Sequence, residues 1–305
     1  YHKNMRSYLN AKLILFKKIL QKNSRIVTDK SINEFITLKK IAKKRSLKVI
    51  EISEIAEKIR NMSFALSSEF KIKNLAMAIA ATKLCRLKDK VIFKSIKKIK
   101  DVNGRLELVR RFPNNRKVFI DYAHTPDALL KVLQSLETEY GKNISLVFGC
   151  GGDRDKNKRS LMARIANNYS KKIYVTDDNP RNEDPGKIRN QIIKKINSKK
   201  YYNIGNRAKA IETAIKKSEQ NEAILIAGKG HESKQIYKNR IIYISDKKIV
   251  KNIKLRIKAI PQKAQNYLQN KSIMKKIIGN ININNFQGIA IDSRIIKKNN
   301  LFLTI

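Results

Sequence analysis

Four short polar clusters contain residues whose types could bind or activate a small molecule. Each cluster follows an apolar run with the composition of a β-strand. The clusters are Asp121-Tyr122-Ala123-His124, Gly151-Gly152-Asp153-Arg154-Asp155, Asp177-Asp178-Asn179-Pro180-Arg181 and Gly228-Lys229-Gly230-His231-Glu232. Carboxylates can hold ammonium groups, guanidinium groups can hold carboxylates, and a histidine can exchange a proton near neutral pH. The clusters therefore indicate a site for a ligand with charges of both signs.

The third cluster shows this chemistry within five residues. Arg181 suits a bidentate contact with a carboxylate, while Asp178 and Asn179 suit an ammonium group, so together they fit an amino-acid ligand. An ordinary Asx-Pro turn would have the same composition, and both interpretations stay open on these residues alone. The second cluster matches no common phosphate loop, because Arg154 replaces the last glycine of a dinucleotide fingerprint and no Gly-Lys-Ser/Thr ending follows.

Alternating strands and helices must position these clusters. Strands are predicted near 117–121, 144–149, 171–176, 200–204, 223–227 and 240–244. Helices are predicted near 126–139, 158–168, 185–197, 206–219 and 246–258. Such alternation is typical of a parallel α/β sheet, and these sheets bind ligands beyond the carboxyl ends of their strands. We therefore expect the clusters to line one crevice of an enzyme.

The flanking regions are less regular. Helical spacing predicts helices over 3–22 and 72–84, whereas residues 24–70 mix strand-like and helical pieces, and a boundary falls near 104–112. Residues 259–277 contain Pro261 and many Lys, Gln and Asn residues, which is typical of a linker. Residues 278–305 begin a further segment.

The composition limits the class of protein. The chain has 305 residues, of which 42% are hydrophobic, so it can bury sizeable cores. No apolar run approaches the roughly 20 residues that a membrane helix needs. Cys85 and Cys150 form neither a metal-binding nor a disulfide pattern, which is typical of a reducing compartment. We expect a cytoplasmic protein with no membrane partner.

The net charge of +43 allows a second class, a basic nucleic-acid-binding protein. Lysine is spread along the whole chain, no aromatic stacking motif accompanies it, and tryptophan is absent. Nucleic-acid binding requires a basic patch as well as a basic total. We therefore expect no specific nucleic-acid partner and keep this class as the alternative.

Taken together, the clusters resemble the Mur ligase family in their order and spacing. The resemblance is carried by Asp121-Tyr122-Ala123-His124-Thr125-Pro126-Asp127-Ala128-Leu129, Phe148-Gly149-Cys150-Gly151-Gly152-Asp153-Arg154-Asp155-Lys156, Asp178-Asn179-Pro180-Arg181 and Gly228-Lys229-Gly230-His231-Glu232. It extends from Tyr1 to about residue 258. Tyr1-His2 and Ala11-Lys12-Leu13 resemble the end of the family's ATP-binding central domain, and Asn103-Gly104-Arg105-Leu106-Glu107 resembles its hinge.

The resemblance implies a fold and a division of the chain. Residues 1–107 would be the remainder of the α/β central domain. Residues 108–258 would be the carboxy-terminal, amino-acid-binding domain, a Rossmann-like, doubly wound and mostly parallel sheet. The segment 259–277 would be a linker, and 278–305 the start of another domain.

The resemblance also implies an activity. It points to an ATP-dependent ligase of peptidoglycan precursor synthesis, which adds meso-diaminopimelate to UDP-N-acetylmuramoyl-L-alanyl-D-glutamate through an acyl phosphate. Lys12 matches a lysine that is carbamylated and helps to hold Mg²⁺. The positions that match residues around the nucleotide are Asn74, Arg105, Asp121, Tyr122 and His124. The positions that match residues around diaminopimelate are Arg154, Asp178, Asn179, Pro180, Arg181, Gly228 and Glu232.

Several features depart from the family pattern. No Gly-Lys-Thr/Ser phosphate loop occurs in the sequence, Lys71 replaces a usual asparagine, and Ser160 replaces a usual proline. We therefore expect that the chain is a fragment that needs the family's amino-terminal domains and does not catalyse ligation alone. A lysine-adding or folylpolyglutamate-type ligase is the alternative within the family, and the Asp-Asn-Pro-Arg run disfavours it.

The end of the chain carries a second, shorter resemblance. Gln287-Gly288-Ile289-Ala290-Ile291-Asp292-Ser293-Arg294, followed by Asn300-Leu301-Phe302-Leu303, resembles the opening of another Mur ligase amino-terminal domain. The pattern predicts a second ligase fused behind the first, the one that adds D-alanyl-D-alanine. The alternative is a single-function protein in which this tail is only a linker.

Overall fold

The computed structural model describes residues 4–62, 68–96, 98–99, 102–197, 200–254, 288–290 and 300–302. Two units divide the chain, a first unit of Tyr1–Lys100 and a second unit of Asp101–Ile305. The predicted linker at 259–277, the residues Tyr1-His2 and most of the tail resemblance lie outside the described residues. The predicted domain boundaries at 107 and 258 stay predictions.

The first unit combines a short parallel sheet with helices. Its elements are α1 Met5–Ile14, a π-helical turn Leu15–Ile19, β1 Arg25–Thr28, α2 Phe35–Arg45, β2 Lys48–Glu51, α3 Ser53–Arg60, α4 Glu69–Leu84 and α5 Asp89–Ile96. β1 and β2 pair in parallel. Buried side chains of α3, α4 and α5, among them Ile59, Ala76 and Ile92, form one core. The helix predicted over 72–84 is α4, which begins slightly earlier.

The second unit follows the predicted alternation. Its elements are β3 Glu107–Phe112, β4 Arg116–Asp121, α6 Pro126–Tyr140, β5 Ile144–Phe148, α7 Asn157–Tyr169, β6 Lys172–Val175, α8 Pro185–Ile193, β7 Tyr201–Asn203, α9 Arg207–Lys216, β8 Ala223–Ala227, β9 Lys234–Tyr237, β10 Arg240–Tyr243, α10 Asp246–Asn252, β11 Gly288–Ala290 and β12 Asn300–Phe302. β11 and β12 pair in parallel, and β9 and β10 form an antiparallel hairpin.

The main sheet has the strand order β3-β4-β8-β5-β6-β7. All neighbours except β3 and β4 run parallel, which confirms the predicted mostly parallel α/β sheet. The chain builds β5, β6 and β7 on one side of β4 and then returns to place β8 between β4 and β5. This reversal creates a switch point, where a doubly wound sheet offers a crevice for a ligand.

Local sequence explains why the elements begin where they do. β5 and β8 are completely buried, and their residues are apolar except for Ser145 of β5, as is typical of central parallel strands. Thr125 and Asp184 cap α6 and α8 with their side chains, and proline occupies the first turn of each helix. The helices therefore start directly behind the strand-end clusters.

Helices cover both faces of the sheet. α6, α7 and α8 pack side by side, and α9 packs against α10. Apolar side chains of α9 and α10, such as Ile211 and Val250, share one core with Val118, Val147 and Ile226 of the sheet. None of the helices in the described part of the chain is long and apolar enough to cross a membrane.

Two strands were not expected from the sequence. β3 occupies the segment that reads as a boundary, and it pairs antiparallel with β4 across a register shift between Leu108 and Arg110. β9 pairs with the predicted strand β10 through the two-residue turn Lys238-Asn239. Three of the six residues of β3 are charged and β9 has only four residues, so hydrophobic alternation does not reveal either strand.

Candidate active site

An open cavity of about 410 Å³ lies at the carboxyl ends of the sheet strands. This volume is within the range of about 300–1,000 Å³ that is usual for small-ligand sites. Its lining residues are Tyr122, His124, Thr125, Pro126, Gly149, Gly151, Arg154, Asp155, Lys158, Asp178, Asn179, Arg181, Gly228 and Glu232. Residues from all four polar clusters therefore meet in one place, as expected from the parallel topology.

Glycine is required where two of these strand ends approach each other. Gly228 has a φ of +109°, and a Cβ there would lie 2.7 Å from the Asp178 carboxylate. A Cβ on Gly149 would overlap the carbonyl oxygen of Thr176. Side chains at these positions would push the loops apart, so the glycines allow β5, β6 and β8 to present their clusters to one cavity.

Asn179 is held in a single orientation. Its Oδ1 accepts hydrogen bonds from Lys229 Nζ at 3.1 Å and from the Ile236 backbone N–H at 3.0 Å. Its Nδ2 donates to Glu232 Oε2 at 3.3 Å. The amide is buried and cannot flip without losing these partners, so its position in the site is fixed before any ligand arrives.

Lys229 is completely buried behind the cavity. Its Nζ donates to Asn179 Oδ1 and Glu232 Oε2 at 3.1 Å each, and to the Lys234 carbonyl oxygen at 2.6 Å. Three acceptors match the three protons of an ammonium group, which makes its burial tolerable. Sequence reasoning did not assign Lys229 a role, although its place between two glycines at a strand end was a usable signal.

Glu232 faces the cavity as a carboxylate. Burial opposes its ionisation, but the Lys229 ammonium and hydrogen bonds from Asn179 and Tyr122 outweigh burial and lower its pKa below the usual range. In turn, burial and the Glu232 charge raise the pKa of the Tyr122 hydroxyl. Glu232 is therefore ionised near neutral pH and suited to hold an ammonium group.

Asp178 supplies a second carboxylate to the same wall. The residue is only 8% exposed, and its side chain forms no hydrogen bond or ion pair with any residue in the described part of the chain. Buried carboxylates are normally paired or hydrogen-bonded. A cationic group of a ligand, placed between Asp178 and Glu232, would provide the partner that the protein does not.

Two arginines line the cavity together with the carboxylates. Arg181 Nη1 donates to the Gly152 carbonyl oxygen at 2.9 Å, and Arg154 Nη1 donates to the Asp153 carbonyl oxygen at 3.1 Å. Among the described residues, neither Nη2 nor Nε of these side chains has a hydrogen-bond partner. Both guanidinium groups can therefore still bind a carboxylate.

The predicted nucleotide residues of the second unit form a neighbouring group. The Arg105 guanidinium lies 4.6 Å from the Tyr122 ring centroid, and the His124 ring packs edge-on against Tyr122 at 4.7 Å. His231 stacks on the same ring at 5.8 Å. Aromatic faces beside a guanidinium fit the base and the phosphates of a nucleotide chemically. Tyr122 and His124 also line the cavity.

Two predicted residues lie behind the cavity wall instead of lining it. Asp121 is buried, and its oxygens accept hydrogen bonds from the backbone N–H groups of Leu106 at 2.6 Å and Ala123 at 2.7 Å. Pro180 is also buried, and its carbonyl accepts from the Glu183 N–H at 3.1 Å. Both shape the loops that carry the site.

Lys12 and Asn74 belong to the first unit. Lys12 is exposed, and its Nζ lies 4.6 Å from the Tyr8 ring centroid. Carbamylation would therefore not remove the cost of a buried ammonium group, because the ammonium is not buried. Carbamylation would supply one oxygen of the kind that Mg²⁺ prefers. However, no group of three His, Cys, Asp or Glu side chains among the described residues could hold a metal ion. The predicted roles of Lys12 and Asn74 stay predictions.

The hairpin β9–β10 is a part of the site that the sequence did not predict. The Ile236 N–H binds Asn179, and the Ile236 carbonyl oxygen accepts from the Arg181 N–H at 2.9 Å. Lys158 of the second cluster's helix also lines the cavity, and its Nζ donates to the His124 carbonyl oxygen at 3.0 Å. Contacts of this kind depend on tertiary pairing, which the local pattern does not contain.

Among known protein families, the one described as "Mur ligase, glutamate ligase domain" matches residues 104–230 of this chain. A relative from Rickettsia typhi (strain ATCC VR-144 / Wilmington) is 33% identical over 274 residues, which cover 82% of this chain and 55% of the relative. A relative from Buchnera aphidicola subsp. Schizaphis graminum (strain Sg) is 36% identical over 277 residues, which cover 82% of this chain and 56% of the relative. Both are named UDP-N-acetylmuramoyl-L-alanyl-D-glutamate--2,6-diaminopimelate ligase.

The chain spans about half the length of the curated relatives it matches. Among solved structures, Mycobacterium tuberculosis folylpolyglutamate synthase, complexed with ADP and AMPPCP, has a TM-score of 0.58 and 16% identity. That likeness covers 75% of this chain and 58% of the synthase. It shows a shared fold.

Proposed function

We propose that this chain, whose residues 104–230 have the fold and sequence pattern of the Mur ligase glutamate ligase domain, is part of a diaminopimelate-adding ligase. The proposed reaction joins meso-diaminopimelate to UDP-N-acetylmuramoyl-L-alanyl-D-glutamate with hydrolysis of ATP. Two relatives that carry this activity in their names support the proposal, as does the cavity, whose charges complement an amino-acid ligand.

The single observation that carries the proposal is the set of charges in the cavity. Two guanidinium groups, Arg154 and Arg181, and two carboxylates, Asp178 and Glu232, line one space with the fixed amide of Asn179. Diaminopimelate has two carboxylates and two ammonium groups, so each charge of the ligand has a counterpart. A neutral or singly charged ligand would leave some of these groups unpaired, which is unfavourable above all for the buried Asp178.

Arg181 offers a physical basis for selection against lysine. Lysine has the same spacing between its two amine-bearing carbons but lacks the distal carboxylate. If Arg181 binds that carboxylate, lysine would leave the guanidinium without its partner, and a site built for a polar group rejects the analogue that lacks it. This reasoning disfavours the lysine-adding alternative.

The proposed reaction has two steps. The γ-phosphoryl group of ATP is transferred to the D-glutamyl carboxylate, which gives an acyl phosphate and ADP. The amine of diaminopimelate then attacks the acyl carbon, the C–O bond to phosphate breaks, and an amide and inorganic phosphate are formed with loss of one proton from the amine. Tyr122 and His124 line the same cavity as the charged groups, so nucleotide and amino acid would meet there.

A calorimetric titration of the chain with meso-diaminopimelate and with L-lysine tests the proposal. We expect binding of diaminopimelate with at least about a tenfold preference over L-lysine, because one charge-assisted contact is worth about 1.5–3 kcal/mol. Arg181→Ala should reduce the affinity for diaminopimelate by a similar factor and have a smaller effect on L-lysine.

Arg164→Ala is the matched control, because Arg164 is an exposed arginine on α7 that does not line the cavity. It should bind both ligands as the unsubstituted chain does. Equal affinities for the two amino acids, or no binding by a chain whose circular dichroism shows it to be folded, would contradict the proposed function.

A further inference from the structure

We propose that the ion pair between the buried Arg159 and the partly buried Glu183 is a positioning element of this site. It joins the loop that follows β5 to the loop that follows β6 and so fixes Arg154 and Arg181, the two arginines that face the cavity. The inference deepens the proposed function, on which it rests for the identity of the ligand; the joining of the loops is independent of it.

Arg159 is placed beneath the cavity, on the first turn of α7, with only 1% of its residue surface exposed. Its Nη1 and Nη2 donate to Glu183 Oε2 at 3.0 Å and Oε1 at 2.9 Å. Nη1 also donates to Gln191 Oε1 at 2.7 Å, and Nη2 to the Gly151 carbonyl oxygen at 3.3 Å. One guanidinium group therefore contacts the β5 loop, the β6 loop and α8.

Glu183 continues the connection towards Arg154. Its Oε1 accepts a hydrogen bond from the Asp153 N–H at 2.7 Å, directly before Arg154 in the chain. The Arg159 guanidinium, acting against a smaller effect of burial, lowers the pKa of Glu183 to about 2. The carboxylate is therefore charged at neutral pH and, from its place on the β6 loop, accepts both from the β5 loop at Asp153 and from Arg159 of α7.

Further hydrogen bonds close the two loops on each other. The Gly152 N–H donates to the Asn179 carbonyl oxygen at 2.9 Å, and Arg181 Nη1 donates to the Gly152 carbonyl oxygen at 2.9 Å. Asn182 Nδ2 donates to Asp153 Oδ2 at 2.8 Å. These bonds set the relative position of the loops, and the ion pair holds the loops from the buried side.

Two residues in these loops have a strained backbone. Asp153 has a φ of +52° and Arg181 a φ of +53°, in the left-handed region that non-glycine residues rarely adopt. Strain of this kind persists only where the surroundings over-determine the conformation, and it concentrates at functional sites. The strained residues are Arg181 itself and the neighbour of Arg154, so the ion pair maintains the backbone that aims both guanidinium groups.

Stability alone does not account for this pair. Arg159 Nε is buried without a hydrogen-bond partner, which is unfavourable. Apolar residues of similar volume often replace a buried ion pair with no loss of stability. What apolar residues cannot do is bind Gly151 and, through Glu183, Asp153. The benefit of the pair is therefore the placement of the loops.

The test compares the unsubstituted chain with Arg159→Met and Glu183→Gln in two measurements. The first is the affinity for meso-diaminopimelate and L-lysine by calorimetry. The second is amide hydrogen exchange without ligand. We expect each substitution to weaken diaminopimelate binding at least tenfold and to lower its preference over L-lysine. The Gly152 and Arg181 amides should exchange at least tenfold faster, while the amides of β5 and β6 keep their protection.

Lys156→Met is the matched control. Lys156 Nζ lies 3.8 Å from the same Glu183 carboxylate, but its side chain is 66% exposed, so it should change neither measurement. If Arg159→Met fails to fold, Glu183→Gln, which leaves no carboxylate behind, still decides the question. Unchanged exchange of the Gly152 and Arg181 amides would overturn the inference. A failure of the unsubstituted chain to bind diaminopimelate would instead contradict the proposed function, because the exchange measurement uses no ligand.

Discussion

The main sheet has an amino-terminal edge, where its parallel strands begin, and a carboxyl-terminal edge, where they end. The two edges use charged residues differently. At the amino-terminal edge, Lys117 pairs with Glu139 at 2.9 Å, and the two side chains are 14% and 45% exposed. At the carboxyl-terminal edge, Arg207 pairs with Asp246 at 2.7 Å, and the two side chains are 0% and 1% exposed. Lys229 at the same edge is also completely buried.

Charged residues therefore serve different purposes at the two edges of the sheet. A pair with an exposed carboxylate can re-form its contacts with water and contributes little to stability, so the Lys117–Glu139 pair should tolerate change. Buried charges must be satisfied by the protein and therefore fix the geometry around them. The carboxyl-terminal edge keeps buried charges where the cavity needs fixed neighbours, and substitutions there should have larger and more specific effects.

The largest effect is expected from Arg207→Met. Arg207 Nε and Nη2 donate to the two oxygens of Asp246 at 2.8 and 2.7 Å, and Nη2 also donates to the Ala227 carbonyl oxygen at 3.1 Å. Removing the guanidinium leaves a buried carboxylate without a cation, which costs about 3–5 kcal/mol. Urea unfolding followed by circular dichroism measures this loss.

The double substitution Arg207→Met with Asp246→Asn is the control for that prediction. It removes both charges, so it should recover part of the lost free energy of unfolding. If Arg207→Met costs less than about 1 kcal/mol, the buried pair at the carboxyl-terminal edge is no more important than an exposed one, and the comparison between the edges fails.

Lys229→Met should have the next largest effect. It leaves the Lys234 carbonyl oxygen without its Nζ donor and removes one partner each from Asn179 and Glu232, so it should cost about 1–3 kcal/mol of stability. The affinity for meso-diaminopimelate should fall at least about tenfold, because a lost hydrogen bond to a charged group is worth about 1.5–3 kcal/mol.

The pH dependence of binding distinguishes positioning by Lys229 from general destabilisation. Lys229 contributes to the lowered pKa of Glu232, together with Asn179 and Tyr122 and against burial. Without the ammonium this pKa should rise, so acidification should begin to weaken diaminopimelate binding at a higher pH than in the unsubstituted chain. Lys238→Met, at an exposed lysine of the β9–β10 turn, should leave the pH profile unchanged. An identical profile for Lys229→Met would show that Lys229 acts only through stability.

Arg181 allows the strain at the carboxyl-terminal edge to be measured directly. Its φ of +53° is unfavourable for alanine but not for glycine, so Arg181→Gly should be more stable than Arg181→Ala by about 1 kcal/mol. Both variants lose the guanidinium and should bind diaminopimelate equally weakly. Thermal unfolding of the two variants measures the difference, and equal stabilities would show that the surroundings do not hold a strained backbone.

Much of this architecture follows from local sequence, because the apolar runs of β5 and β8 and the caps of α6 and α8 are local signals. The parallel topology then brings the strand ends together, which is why the grouping of Arg154, Asn179 and Glu232 could be expected from the order of elements alone.

Features that depend on tertiary contacts could not be predicted. β9 alternates weakly, yet its Ile236 binds both Asn179 and Arg181. The Arg159–Glu183 pair joins residues 24 positions apart, and no spacing rule links them. Asp121 reads as a ligand residue in its cluster, but in the structure its oxygens bind backbone N–H groups. A pattern identifies residue types near a site, whereas only the packed structure separates those that face the cavity from those that support it.

The smallest effect is expected from Glu139→Gln at the amino-terminal edge. Burial raises the pKa of Glu139, but Tyr140 and Lys117 outweigh it and lower the pKa below its usual value. The stability from this group is therefore present above the unfolded pKa of about 4.3 and is lost as the pH falls below it. At pH 7 we expect Glu139→Gln to cost less than about 1 kcal/mol, with a smaller cost in 0.5 M salt, because exposed pairs are screened. Diaminopimelate affinity should not change, and a salt-independent cost above about 2 kcal/mol would mean that both edges rely on buried charge.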